Sequence, residues 1–302
     1  MTVFHQHSES DTRKQHQTAI KNLKLAFFLN FGFTIIEFFG GLFTNSTAIL
    51  ADAVHDLGDS FALAQAWYFE SLSKKKETSK YTYGYRRFTL LGAVISALLL
   101  LASSFYVLNE AVPRVLNPEH SNAQGMVLLA VFGVVVNGVA MWRLGKGSGA
   151  NIRIVALHFL EDVLGWTAVL LVAIILLFKD VHILDPILAI LITLYILVNV
   201  VKQLKNIIPV FMQAAPASAD VSKIKKKLES FENIDSLHHL HLWSLDAEHT
   251  ILTVHLVVKK FLNPAEYSVL KKQVREALEQ LDIYHTTIEI EWPEDICGNK
   301  DH

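Results

Sequence analysis

The chain has one cysteine in 302 residues, Cys297, so neither an internal disulfide framework nor a Cys-rich zinc cluster can form. Histidine and carboxylates are left as the expected metal ligands, and thiol redox chemistry has no evident basis. Charge is scarce as well: 19% of residues are charged against about 25% in typical soluble domains, while 52% are apolar. The shortage is local. Residues 209–302 hold 10 Lys/Arg and 15 Asp/Glu, whereas the 208 residues before them hold 17 and 14. A slightly basic front part and an acidic rear part are not the footprint of a nucleic-acid binder; an acidic module suits cations. Residues 1–24 are polar, with His5, His7 and His16, and lack the apolar core and small-residue cleavage site of a secretory leader. The first apolar run is therefore expected to be retained.

What is present is a series of six apolar stretches, near 25–43, 47–70, 88–109, 125–144, 154–178 and 186–201. Each has roughly the length a helix needs to cross about 30 Å of hydrocarbon. The short 44–46 connection predicts a hairpin between the first two, and Asn117-Pro118 a turn after the third. Lys and Arg are distributed unevenly over the connections. Arg13, Lys14, Lys21, Lys24, Lys74, Lys75, Lys76, Lys80, Arg86, Arg87, Arg143, Lys146, Arg153, Lys202 and Lys205 fall on one side, and only Arg114 and Lys179 on the other. That bias predicts both termini in the cytoplasm.

From Pro209 the pattern changes to that of a soluble module. Val221, Ile224, Leu228 and Phe231 recur at helical spacing, Leu252, Val254, Leu256 and Val258 alternate as in a strand, and Asn263-Pro264-Ala265-Glu266 reads as a helix start. The expected fold is an all-α transmembrane domain of six helices over 25–208, after a tail over 1–24. A small α+β domain of order α-β-β-α-β follows over 209–302.

The second stretch is apolar yet contains Asp52, His55, Asp56 and Asp59. Three aspartates in a membrane helix cost on the order of 8–10 kcal/mol unless paired or hydrated, so they need a reason. His55 and Asp59 are four apart and share a helix face, with Asp52 near it. The fifth stretch repeats the arrangement with His158 and Asp162. Two imidazoles and two carboxylates are the number and type of ligand that tetrahedral Zn²⁺ takes, and the imidazoles disfavour Mg²⁺ or Mn²⁺. With both carboxylates ionised such a site cancels the charge of Zn²⁺, and without metal its imidazoles, which ordinarily titrate near about 6.5, take up protons. Exchange of zinc for protons follows. Exporting Zn²⁺ against an inside-negative potential costs roughly 4.6 kcal/mol per 100 mV, and one imported proton per cycle halves that term. Glu37 in the first stretch reads equally as a proton stop or as a hydrogen-bond partner between helices, and Asp52 and Asp56 as lining of an access path.

These residues, with Tyr83-Gly84-Tyr85-Arg86-Arg87, the 213–216 connector and His238-His239-Leu240-His241-Leu242-Trp243, resemble the cation diffusion facilitator family of the bacterial zinc exporter type. The resemblance covers nearly the whole chain. It implies a homodimeric, proton-coupled exporter in the bacterial inner membrane, with a metallochaperone-like cytoplasmic domain. It assigns the transport ligands to His55, Asp59, His158 and Asp162, with His at the first position favouring zinc over cadmium or manganese. It also matches His238, His255, His285 and Glu291 to positions that bind regulatory zinc; by strand alternation His239 and His241 share one face, as alternatives to His238. Zinc is then both substrate and regulator, protons are the counter-ion, and cobalt or cadmium are further cargo. Phe88, Thr89 and Ser96 depart from the acidic residue and later Asn of many relatives, which puts a supporting role for the third helix in doubt. Two rival classes stay in view. An intramembrane metal hydrolase lacks a His-Glu-x-x-His stretch and a coordination position for water; a zinc sensor without transport leaves the membrane ligands unexplained.

Overall fold

The computed structural model describes residues 27–72, 77–144, 150–246, 249–281, 283–295 and 297, with the backbone alone at 66, 70, 71, 143, 144 and 150–158. His5, His7, His16 and Lys74–Lys76 lie outside the described residues. The chain divides into two compact units. One comprises the described residues of Met1–Lys76 and Gly92–Leu204, the other those of Glu77–Leu91 and Lys205–His302.

Six long helices run through the first unit: α1 (Phe27–Thr44), α2 (Thr47–Leu72), α3 (Phe88–Leu116), α4 (Ala123–Leu144), α5 (Ala150–Phe178) and α6 (Leu184–Phe211). All but α2 are long and apolar enough to cross a membrane. α2 has the length, 26 residues, but carries Asp52, Asp56 and Asp59. The helices outrun the apolar stretches, because α3 continues through Pro113 and α6 through Pro209, each in its last turn.

Polarity is inverted relative to a water-soluble bundle. Phe28, Phe39, Phe105, Leu128, Leu164 and Leu191 are exposed, whereas Asn30, Glu37, Asp52, Asp56, Ser60, Asn137 and Asp162 are buried. Outward apolar and inward ionisable side chains are what a hydrocarbon solvent selects. The interior is assembled on small residues, with Ala48, Ala51, Ala111, Ala130, Ala173 and Ala189 packed beside Ile49, Met126 and Trp166. Close helix approach supplies the dispersion energy that lipid does not. At Gly133 an added Cβ would stand 2.3 Å from the Trp166 indole, so α4 meets α5 there for want of a side chain. The indole N–H donates to Glu37 Oε1 at 3.2 Å, giving that carboxylate a partner on another helix.

Three connections meet at one end of this unit. The α1–α2 turn is made by Asn45 at φ 52°, a left-handed conformation that Asn tolerates. Asn122 N–H donates to Thr44 O at 2.8 Å, and Asn45 Nδ2 donates to His120 O at 3.2 Å. Asp185, in the first turn of α6, accepts hydrogen bonds from the Thr47 and Ala48 amides and from the Ser46 and Thr47 hydroxyls. Its carboxylate thus sits at the α2 N-terminus, where free N–H groups and the helix dipole favour an anion.

The second unit contains α7 (Val221–Glu229), β1 (Ile234–Ser244), β2 (Thr250–Val258), α8 (Pro264–Glu279) and β3 (His285–Glu291). Asp220 caps α7 through the Lys223 amide, and Asn263 and Glu266 form a capping box on α8. The sheet order is β1-β2-β3, antiparallel between β1 and β2 and parallel between β2 and β3, with α8 as the crossover. Leu252, Val254 and Leu256 pack with Ile224, Leu228, Leu270, Val274 and Leu278 in one core. By strand alternation His255 then stands on the other face. The Glu77–Leu91 segment belongs to this unit: Arg87 Nε donates to Leu245 O at 3.1 Å, and the Arg86 guanidinium lies 5.2 Å from the Tyr284 ring centre.

Candidate metal centres

On α2 the helical repeat brings His55 Nε2 to 3.6 Å from Asp59 Oδ2. Asp56 joins them, one oxygen or nitrogen from each of the three lying within 4.8 Å of the others. Asp56 is 2% exposed, and its backbone carbonyl accepts from Asn30 Nδ2 at 3.0 Å. On α5, Asp162 is 5% exposed, and beside it Glu161 accepts from the Tyr195 hydroxyl at 3.1 Å. A cavity of about 380 Å³ is lined by Asp52 and His55 from α2, Glu161 and Asp162 from α5, and Leu191 and Tyr195 from α6. Gly165 borders Asp52: a Cβ there would lie 3.6 Å from its Oδ1, an ordinary van der Waals contact. His158 lies on α5 four residues before Asp162, with its side chain outside the described residues.

The carboxyls of Glu37 and Asp56 are hydrogen-bonded to each other, and both lie within electrostatic range of Asp52 and Asp162. His55 Nδ1 is buried with no hydrogen-bond partner among the described residues.

In the second unit the sheet face away from the helices carries a denser cluster. His255 Nδ1 lies 2.7 Å from Glu291 Oε1, and His255 Nε2 lies 3.3 Å from Glu289 Oε2. His238 Nε2 is 3.2 Å from Glu291 Oε2, in ionic range though not aligned as a hydrogen bond. A bulge between His238 and His241, with His239 at φ 49°, breaks the β1 ladder. Such a bulge re-aims side chains, and the His238 and His239 rings both lie close to His255, at 5.2 and 5.1 Å.

Cys297 completes the group, with Sγ 3.9 Å from His255 Nδ1 and a ligand atom within 4.8 Å of those of His238, His255 and Glu291. The expectation named His and carboxylate ligands alone, and the fold sets a thiol beside them. One thiol cannot make a Cys-rich site, but the turn after β3, closed by Asp295 N–H to Trp292 O, brings it back to a mixed one. The readable signal was its position, six residues beyond Glu291.

His285 is not with this group. It pairs with Ile251 at the start of β3, while Glu291 pairs with Val257 at its end, and at about 3.3 Å per residue these are roughly 20 Å apart. The His285 ring lies against Tyr83 instead, 5.8 Å between centres.

The family model for the cation efflux transmembrane domain matches residues 23–212, and that for the cation efflux protein cytoplasmic domain matches 216–292. The cadmium, cobalt and zinc/H(+)-K(+) antiporter of Bacillus subtilis (strain 168) is 34% identical over 291 residues, 95% of this chain and 91% of that protein. The metal cation efflux system protein CzcD of Cupriavidus metallidurans is 34% identical over 273 residues, 90% and 86%. The zinc transporter ZitB of Escherichia coli (strain K12) is 30% identical over 295 residues, 96% and 93%. Among solved structures, the metal-bound C-terminal domain of the CzcD transporter is 32% identical, with a TM-score of 0.21, over 24% of this chain and 99% of that one. With family models on both parts of the chain and relatives matched nearly end to end, the chain belongs to the cation efflux family and is a metal-cation transporter, not an enzyme.

Proposed function

We propose that the chain is a zinc exporter of the bacterial inner membrane that exchanges cytoplasmic Zn²⁺ for protons at a site made by His55, Asp59, His158 and Asp162. The observation that carries this reading is the cavity shared by His55 of α2 and Asp162 of α5, with Asp59 3.6 Å from His55. Two helices otherwise suited to lipid converge their ionisable groups on one space, and each helix offers imidazole and carboxylate. Names of relatives support the cargo and the counter-ion: one is a zinc transporter, another a cadmium, cobalt and zinc/H(+)-K(+) antiporter.

In this scheme all six helices span the bilayer, and α2 does so because its carboxylates face the interior. Both termini are cytoplasmic. The organisation is a tail over 1–24, a membrane domain over 25–208 and a cytoplasmic domain over 209–302 that pairs two chains. Zinc displaces protons from the site on the cytoplasmic side. After the site opens outward, protons reload it and the ion leaves, which relieves repulsion among the carboxylates in the return step. The test is zinc flux in proteoliposomes under an imposed pH gradient. Flux should reverse direction with the gradient; flux indifferent to it would remove the proton exchange.

The cytoplasmic domain adds a regulatory site in which His238, His255, Glu291 and Cys297 ligate one zinc within a protomer. His285, remote from them, would act in a separate place. Thiolate ligation gives a cobalt-loaded protein intense near-ultraviolet charge-transfer absorption, so Cys297→Ser should erase that band while cobalt stays bound through nitrogen and oxygen. An unchanged spectrum would take Cys297 out of the set.

A further inference from the structure

A third convergence of ligand atoms lies far from both centres along the chain, in the short α3–α4 and α5–α6 connections. His182 Nε2 is 2.7 Å from Asp180 Oδ1 and 2.8 Å from His120 Nδ1, and His120 Nδ1 is 3.8 Å from the same Asp180 oxygen. Residues 62 apart in sequence are thus brought into one triangle of two nitrogens and one oxygen. We propose that His120, Asp180 and His182 form a second membrane-domain site for a divalent cation of the zinc class.

Tetrahedral zinc with bonds of about 2.0 Å spaces its ligand atoms about 3.3 Å apart. The observed 2.7, 2.8 and 3.8 Å bracket that spacing, so small rotations suffice. Two imidazoles and one carboxylate suit zinc, cobalt or nickel better than magnesium or calcium, which prefer all-oxygen shells. One proton cannot serve both close contacts of His182 Nε2 at full strength, whereas one cation can be shared by all three groups. The anchoring is uneven: the His182 side chain is 13% exposed, while those of His120 and Asp180 are 82% and 76% exposed. Two arms free to close and a fourth position open to water make a site that exchanges its ion readily. The nearby Glu119 is already engaged by Arg114 at 3.3 Å and by Asn45 Nδ2 at 3.2 Å, so it does not compete for the ion.

The surroundings specify a consequence. Ser121 N–H donates to His182 Nδ1 at 3.2 Å, which holds the ring proton on Nε2. An ion at Nε2 moves that proton to Nδ1, where the ring no longer accepts from Ser121. Loading therefore releases the Ser121 amide and exchanges a loop hydrogen bond for a metal clamp between the two connections. These connections sit at the end where α1 turns into α2. In the orientation proposed above, this is the outer face, into which ions are discharged, although the site itself does not depend on that orientation.

The experiment uses the full chain in detergent, with Asp59→Ala, Asp162→Ala, His238→Ala and His255→Ala removing the other two centres. Zinc retained after equilibrium dialysis is counted by mass spectrometry. One zinc per chain should remain, with imidazole nitrogens in its X-ray absorption spectrum. His120→Ala or His182→Gln should remove it, and Ser121 amide exchange should quicken on loading. His120→Ala alone in the otherwise natural chain should lower the count by one, which guards against a misfolded background. Zinc retained equally with and without His120 and His182, or none retained in a folded background, would overturn the site. Transport is absent by design, so failure here leaves the transport reading untouched, and failed transport leaves this site untouched.

Discussion

Asp162→Ala and Asp59→Ala should each reduce zinc flux into proteoliposomes to background, a loss on the order of 100-fold or more, while the purified protein elutes as the natural chain does. The size follows from what each substitution removes. Outer partners of metal ligands are commonly worth 10–100-fold, and a ligand that also carries half the compensating charge is worth at least as much. In a buried interior Zn²⁺ that loses one of two ligating carboxylates loses charge compensation at bonding distance, which low dielectric makes costly. Asp162→Asn is the sharper variant. It preserves shape and one oxygen donor, so near-zero flux would assign the loss to charge rather than packing. Flux that survives Asp59→Ala or Asp162→Ala would move the site to other carboxylates lining the cavity, Asp52 and Glu161 first.

Asp185→Ala should give the largest loss of stability among single changes to the membrane unit outside the transport site. The carboxylate is 1% exposed and accepts from two α2 amides and two hydroxyls. Removing it strands those donors and takes a negative charge from the helix N-terminus, together costing on the order of 3 kcal/mol. Thermal unfolding in detergent, followed by tryptophan fluorescence, should show a midpoint several degrees lower. Asp185→Asn should fall between, because its amide NH₂ confronts the Thr47 N–H that the carboxylate oxygen accepts. A midpoint unchanged by alanine would mean that water replaces the carboxylate at no cost.

Much of this organisation is legible before any coordinates. Apolar runs mark the helices because length and hydrocarbon thickness are physically linked, and His-x₃-Asp marks a helix face because the repeat is 3.6 residues. The order α7, β1, β2, α8, β3 is likewise written in alternation and caps. Other features have no local signature. Arg86 and Arg87 read as orientation signals and as part of a family motif, and nothing in their spacing announces Tyr284 or the Leu245 carbonyl as partners. His120 and His182 sit in connections whose proximity depends on how the helices pack. Counting passes over Cys297, since a count of one excludes clusters but says nothing about which imidazoles surround the thiol. The distance of His285 from Glu291 was foreseeable, because seven residues of strand separate their ends by a fixed length.

His239 is the residue whose backbone has the widest consequence for the cytoplasmic module. Left-handed histidine is uncommon and costs about 1 kcal/mol or more, a strain accepted when the strand forms rather than when an ion arrives. An uninterrupted ladder at that point would be the easier thing to fold, and it would send neighbouring imidazoles to opposite sides of the sheet. Good pairing and crowded nitrogens are therefore competing goals within β1, and this chain resolves the competition in favour of the nitrogens.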